Sequence, residues 1–211
     1  MRAIIMAGGD DSKWGGYLGV RRHFAPVDGE PLLHRTVRQL LDREAEVFIV
    51  APDLPEYHIS WTTLIEPETT AWGEEALNAQ HFWAERDRTV QFYGDVVFTD
   101  AAMNTIVGYE RRVWQAFGRM DGARTKPYGE LFAISFWPEH HAEWMAALWQ
   151  AFELKRTGII HRAGSWEAFR IMGGAQGYEA AVHSPYPDLM TEILDGTDDF
   201  DTPAEYEALM C

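Results

Sequence analysis

A chain of 211 residues with 46% apolar and 13% aromatic side chains can bury one substantial core, which excludes a disordered polymer. Lys and Arg number 18 against 33 Asp and Glu, and the formal net charge of −15 excludes general binding to a polyanion such as DNA. The one cysteine, Cys211, excludes an intrachain disulfide framework or a zinc site of several cysteines.

Residues 3–7 form a short apolar run that ends in Gly8-Gly9. A run without alternation suits a strand covered on both faces. It is too short for a secretory signal, and no later stretch approaches the roughly 20 apolar residues that cross a bilayer, so the expected setting is cytoplasmic and free of membrane. Residues 10–30, rich in Gly, Asp and charge, read as a long functional loop. Pro31 then fits the first turn of a helix, with Leu33, Val37, Leu40 and Leu41 as its apolar stripe. Residues 45–51 make a second strand, which completes a βαβ unit with parallel strands.

Residues 74–87 predict a helix, 90–93 a strand that runs into Gly94-Asp95, and 100–117 another helix. Residues 118–130, rich in Gly and basic residues, read as a loop, and 131–137 as a strand. Pro138 opens a helix carrying Trp144, Leu148, Ala151 and Phe152 on one stripe. A short helix over 166–172 lies between loop-rich stretches at 157–164 and 173–188. Thr202 caps a last helix with Pro203 at its first position. After Arg170 the chain holds no Lys or Arg but nine Asp and Glu, which read as a solvated acidic face or as the source of one metal ligand. No repeat or linker divides the chain, so residues 1–211 are expected to form a single domain.

Two segments carry chemistry. The first is Ala7-Gly8-Gly9, three residues, Lys13, one residue, then Gly15-Gly16. Glycines let backbone N–H groups close around phosphate oxygens, and Lys13 adds a cation. The spacing fits neither Gly-x-x-x-x-Gly-Lys-Ser/Thr nor Gly-x-Gly-x-x-Gly. The second is Tyr93-Gly94-Asp95-Val96, a carboxylate at the carboxyl end of a strand, where open α/β sheets bind ligands.

The glycine turn, followed by Arg22 four residues before Pro26 and by Gly29-Glu30-Pro31-Leu32-Leu33 opening a helix, resembles the MobA-like and sugar-phosphate nucleotidyltransferases. The match is clear over residues 1–45 and faint beyond. It implies a three-layer α/β/α sandwich around a mainly parallel, Rossmann-like sheet. The implied reaction transfers a nucleotidyl group from an NTP to a phosphorylated small molecule and releases pyrophosphate. Ala7, Gly8, Gly9 and Gly15 would wrap the nucleotide, while Lys13 and Arg22 would neutralise the phosphates. Lys13 stands where the family usually has Arg, and Arg22 where it usually has Lys. The span from Gly16 to Arg22 is also longer. Gly73-Glu74-Glu75-Ala76-Leu77-Asn78 matches the helix start at which the family's backbone approaches the base, which assigns Gly73 and Asn78 to the nucleotide; a plain helix N-terminus reads equally well. Asp95 matches the family's Mg²⁺-binding aspartate. A second ligand would come from Asp198-Asp199-Phe200-Asp201-Thr202-Pro203, where Asp201 is chosen over Asp199; a helix-capping role competes with either.

Arg119, Arg124 and Lys126 read as solvated loop charges or as contacts to the acceptor phosphate. His140-His141 is not expected to bind metal, because adjacent helical residues diverge. Trp166 and Arg170, four apart, would shape the acceptor pocket or stack on each other. Two other readings use the same residues: a glycosyltransferase of the GT-A type, and a nucleotide-binding protein without turnover. Base preference, the acceptor and any homo-oligomer stay open.

Overall fold

Strand β1 (Arg2–Met6) buries Ala3 and Ile5 on one face and Ile4 on the other, which places it between two helical layers. The computed structural model describes residues 1–67, 74–121, 128–182 and 186–211. After the glycine turn the chain makes a small ladder, β2 (Pro26–Val27) with β3 (Glu30–Pro31), and enters α1 (Leu32–Leu41). Strands β4 (Glu46–Val50) and β5 (Thr62–Ile65) come after it, then α2 (Glu74–Asn78) and β6 (Thr89–Tyr93). Next come β7 (Val96–Val97), α3 (Asp100–Val107), β8 (Gln115–Asp121), β9 (Tyr128–Phe136), α4 (His141–Arg156) and α5 (Ser165–Met172). The last elements are β10 (Met190–Glu192), β11 (Asp198–Asp199) and α6 (Pro203–Met210).

Seven strands pair in the order β10-β8-β9-β6-β1-β4-β5. Only β9 runs against the others, so the sheet is mainly parallel. On one face, Leu33, Val37 and Leu40 of α1 and Ala102, Met103 and Ile106 of α3 meet Ala3, Ile5 and Phe92. On the other, Trp144, Ala147 and Leu148 of α4 and Phe169 of α5 meet Ile4, Val50 and Ile134. This is the expected three-layer α/β/α sandwich. A third cluster lies beside the sheet: Trp14 and Val27 from the N-terminal loop pack on Phe200, Tyr206 and Leu209. Among the described residues no helix is long and apolar enough to cross a membrane.

Four expectations need correction. The helix expected over 74–87 ends at Asn78, tightens to a 3-10 turn over Ala79–Phe82, and is extended at Trp83, whose ring packs on Phe136 and His141. The helix expected over 100–117 stops at Val107 with Gly108 as its cap, and Gln115–Asp121 is a strand. The loop expected over 118–130 is instead the end of β8 and the start of β9, with 122–127 outside the described residues. Gly118 lies at the register shift between the two strands, and Gly129 between the Arg119–Glu130 and Asp121–Tyr128 pairs. A Cβ on Gly118 would stand 2.1 Å from the Glu130 carbonyl oxygen, and one on Gly129 2.2 Å from that of Arg119. The short strands β5 and β10 extend the sheet at its edges where no strand was expected.

Candidate functional site

β1 and β6 are parallel neighbours with Met6 opposite Tyr93, so the chain leaving each strand emerges at the same place, side by side on the carboxyl edge of the sheet. After β1 comes the glycine turn, and after β6 come Gly94 and Asp95. Gly94 donates its N–H to the Met6 carbonyl at 2.9 Å, and a Cβ there would be only 2.8 Å from that oxygen, so this close crossing requires glycine. β4 and β6 flank β1 on opposite sides, which makes this edge a point where strand order reverses and ligands bind in such sheets.

The C-terminal segment reaches the same edge through β11, which pairs antiparallel with β7, while Phe200 N–H meets the Asp95 carbonyl at 3.3 Å. Asp201 is thereby brought to Asp95. Arg22 sits between them, with its side chain only 7% exposed. Its Nη1 is 3.3 Å from Asp95 Oδ2 and hydrogen-bonds Asp201 Oδ1. Its Nε lies 3.9 Å from Asp11 Oδ1, and Asp11 also accepts from the Arg22 backbone N–H at 3.4 Å. Lys13 Nζ donates to Asp201 Oδ2 at 2.9 Å from a mostly exposed position. Burial works against the Arg22 charge, but Asp95, Asp201, Asp11 and Asp199 outweigh it and hold the guanidinium above its ordinary value. Burial raises the Asp11 carboxyl above the usual aspartate range.

On the other side of the turn, the Gly8 N–H donates to Glu75 Oε2 at 3.4 Å. Glu75 is buried, and burial first, with Asp95 adding to it, pushes its carboxyl up to about 7. His23, next to Arg22, is buried against Tyr57, with its Nδ1 3.2 Å from the Tyr57 hydroxyl. Burial and the neighbouring Arg22 drive its pKa well below the ordinary imidazole value, so it is neutral.

Lys13, Arg22, Asp95 and Asp201 thus form one contiguous cluster beside Gly8 and Gly9. Ala7 is buried and donates its N–H to Val50. Gly15 is exposed with a left-handed φ of 63°, and its contribution is the turn itself. Asn78 closes α2 in a half-buried position, and Gly73 lies outside the described residues. Asp199 is buried in β11 close enough to Arg22 to favour its charge. Asp11 and Glu75 were missed as site residues. Glu75 carried a signal, since it is a carboxylate in the helix start that the sequence resemblance singled out. Asp11 carried none.

Other expectations resolve into structural roles. Arg119 is not a solvated charge: it is buried on β8, where Nη2 donates to the carbonyls of Asp195 at 2.8 Å and Thr197 at 3.2 Å. Arg124 and Lys126 lie outside the described residues. His140 Nδ1 caps the Trp137 N–H at 3.2 Å, while the His141 ring packs on Trp83. Arg170 lies over the Trp166 ring at 5.2 Å and donates to the Ala180 carbonyl at 2.9 Å.

Among the described residues, no group of three or more His, Cys, Asp or Glu side chains is disposed around a metal position. Mg²⁺ needs less, because it is held by one or two carboxylates with substrate phosphates and water completing its shell. Asp95 and Asp201 each direct a carboxylate oxygen at the same cationic nitrogen of Arg22. Two hard anionic donors converging on one point fit such an ion.

No protein-family profile and no curated protein matches the sequence. Solved structures do match in fold. A Bacillus anthracis protein assigned as a glucose-1-phosphate thymidylyltransferase, in complex with sucrose, superposes with a TM-score of 0.67 at 15% identity, over 100% of this chain and 94% of that one. The inositol-1-phosphate CTP transferase from T. maritima gives 0.62 at 11% identity, over 99% and 94%. The CTP:phosphocholine cytidylyltransferase from Streptococcus pneumoniae gives 0.58 at 12%, over 99% and 97%. The chain therefore shares its fold with these proteins.

Proposed function

We propose that this protein is a Mg²⁺-dependent nucleotidyltransferase that moves a nucleotidyl group from an NTP to a phosphorylated small molecule. The observation that carries this reading is the meeting of Arg22, Lys13, Asp95 and Asp201 beside the Gly8-Gly9 turn, at the carboxyl edge of β1 and β6. The fold shared with enzymes of this chemistry supports it.

In the reaction an acceptor phosphate oxygen attacks the α-phosphorus, the new P–O bond forms, and the bond to pyrophosphate breaks. The attacking oxygen is already ionised, so no side chain has to remove a proton. What remains for the protein is positioning and charge neutralisation. The backbone of the glycine turn orients the phosphates, and Lys13 and Arg22 exchange carboxylate partners for phosphate oxygens. Asp95 and Asp201 would hold Mg²⁺, which when bound supplies a Lewis acid for charge building on the phosphates.

The test incubates the protein with each of the four NTPs, Mg²⁺ and a panel of sugar and alcohol phosphates, and measures pyrophosphate. Asp95→Asn keeps the shape and removes the charge, and should abolish Mg²⁺-dependent release in a folded protein. Wild-type release from folded Asp95→Asn would remove Asp95 from the metal site. A nucleotide sugar that yields nucleoside diphosphate, with no pyrophosphate from any NTP, would assign glycosyl transfer instead.

A further inference from the structure

Gly8 and Gly9 leave open the space that an anion would occupy at this turn, and the chain fills that space itself. Glu75, from the first turn of α2, lies against both glycines. Its Oε2 accepts the Gly8 N–H at 3.4 Å. A Cβ on Gly8 would stand 3.4 Å from the Glu75 carboxyl carbon, and one on Gly9 would stand 3.4 Å from Oε1 and 3.8 Å from Arg22 Nη2. The side chain is buried and points inward, away from water that could solvate it. A carboxylate so placed takes the backbone donor, and lies beside the buried cation, that a phosphate oxygen would use.

We propose that Glu75 is an internal competitor for the anion site of the Gly8-Gly9 turn, a self-inhibiting contact that an incoming triphosphate must displace. The proposal rests on reading this turn as the triphosphate site. Like charges at such range repel strongly in a poorly solvated place. The groups facing Glu75 divide: the Gly8 N–H and Arg22 favour its charged form, while burial and Asp95 disfavour it. The balance brings the carboxyl to about 7, so the contact changes its charge near neutrality. Binding of a polyanion is then coupled to proton uptake, and loss of the carboxylate frees the site.

The experiment measures the affinity of inorganic tripolyphosphate by calorimetry, with EDTA present, for wild type and Glu75→Gln. The ratio of the two affinities at each pH cancels the ionisation of the probe. Glu75→Gln should bind roughly 10- to 30-fold more tightly at about pH 8.5 and nearly equally at about pH 6, as linkage to one proton requires. Glu75→Ala, which deletes the carboxyl, should shift affinity in the same direction. A ratio that does not change with pH, or variants that bind no more tightly than wild type, overturns the proposal; pyrophosphate release by the same preparation would then leave the transferase reading standing. No binding by any of the three proteins at either pH overturns the proposal, and no pyrophosphate release alongside it overturns both. A pH-dependent ratio without pyrophosphate release supports the internal competitor and removes only the transferase reading.

Discussion

Removing the Arg22 guanidinium strips Asp11, Asp95 and Asp201 of the buried cation they share. Breaking a buried ion pair from one side typically costs about 3–5 kcal/mol, because the remaining charges stay desolvated. Arg22→Ala should therefore lose stability on that scale in metal-free buffer. Mg²⁺ can replace the missing charge if Asp95 and Asp201 hold it, so millimolar Mg²⁺ should raise the melting temperature of Arg22→Ala clearly more than that of wild type. An equal shift in both proteins would count against a metal position between the two carboxylates. Arg22→Lys keeps a charge but loses the planar fork that reaches Asp11, Asp95 and Asp201 together, and should fall between the two.

Helix α6 holds Asp201 in place through its cap. The Thr202 hydroxyl accepts the Glu205 N–H at 3.3 Å, and Glu205 Oε2 accepts the N–H groups of Asp201 at 2.7 Å and Thr202 at 3.1 Å. Thr202→Ala should cost about 1 kcal/mol, read as a lower urea midpoint with an unchanged slope; an unchanged midpoint would mean the cap contributes nothing. This cap was legible from Thr202-Pro203 alone, because capping is a local rule. The strand–turn–helix–strand opening was equally legible, since residues 3–7 and the stripe of α1 carry their periods in the sequence. Strands β8 and β9 were not. Gly118 and Gly129 usually signal loops, but here they serve the close approach of two consecutive paired strands, and composition alone does not report such an approach. Edge strands β5 and β10 are too short to show a period. At the site, Lys13, Arg22, Asp95 and Asp201 could be named from motifs, but their arrangement could not. That Arg22 bridges both carboxylates depends on β11 pairing with β7, a contact across about half the chain.

Two buried groups tie the stability of the whole molecule to pH in opposite directions. Glu75 has its folded-state pKa raised from 4.5 to about 7, so the folded chain keeps a proton that the unfolded chain releases. Its contribution is most favourable below 4.5 and is lost as pH rises toward 7, by an amount on the order of 3 kcal/mol. His23 is neutral when folded, so its contribution is lost as pH falls below 6.5. The wild-type stability relative to Glu75→Gln should therefore decline steadily between about pH 4.5 and 7 in denaturant titrations; a constant difference would show that Glu75 does not change its charge there. The same molecule ties residues 13–27 to residues 200–209. Lys13 and Arg22 grip Asp201, Trp14 packs on Phe200 and Tyr206, and the Tyr206 hydroxyl donates to the Pro26 carbonyl at 2.6 Å. On the ribosome, the glycine turn and Asp95 emerge long before residue 198. The early loop has no β11 or α6 to rest on until residues 198–210 leave the exit tunnel. A nascent chain thus carries the glycine turn, Arg22 and Asp95 before the cluster is complete, and residues 198–210 act as the latch that fixes the early loop.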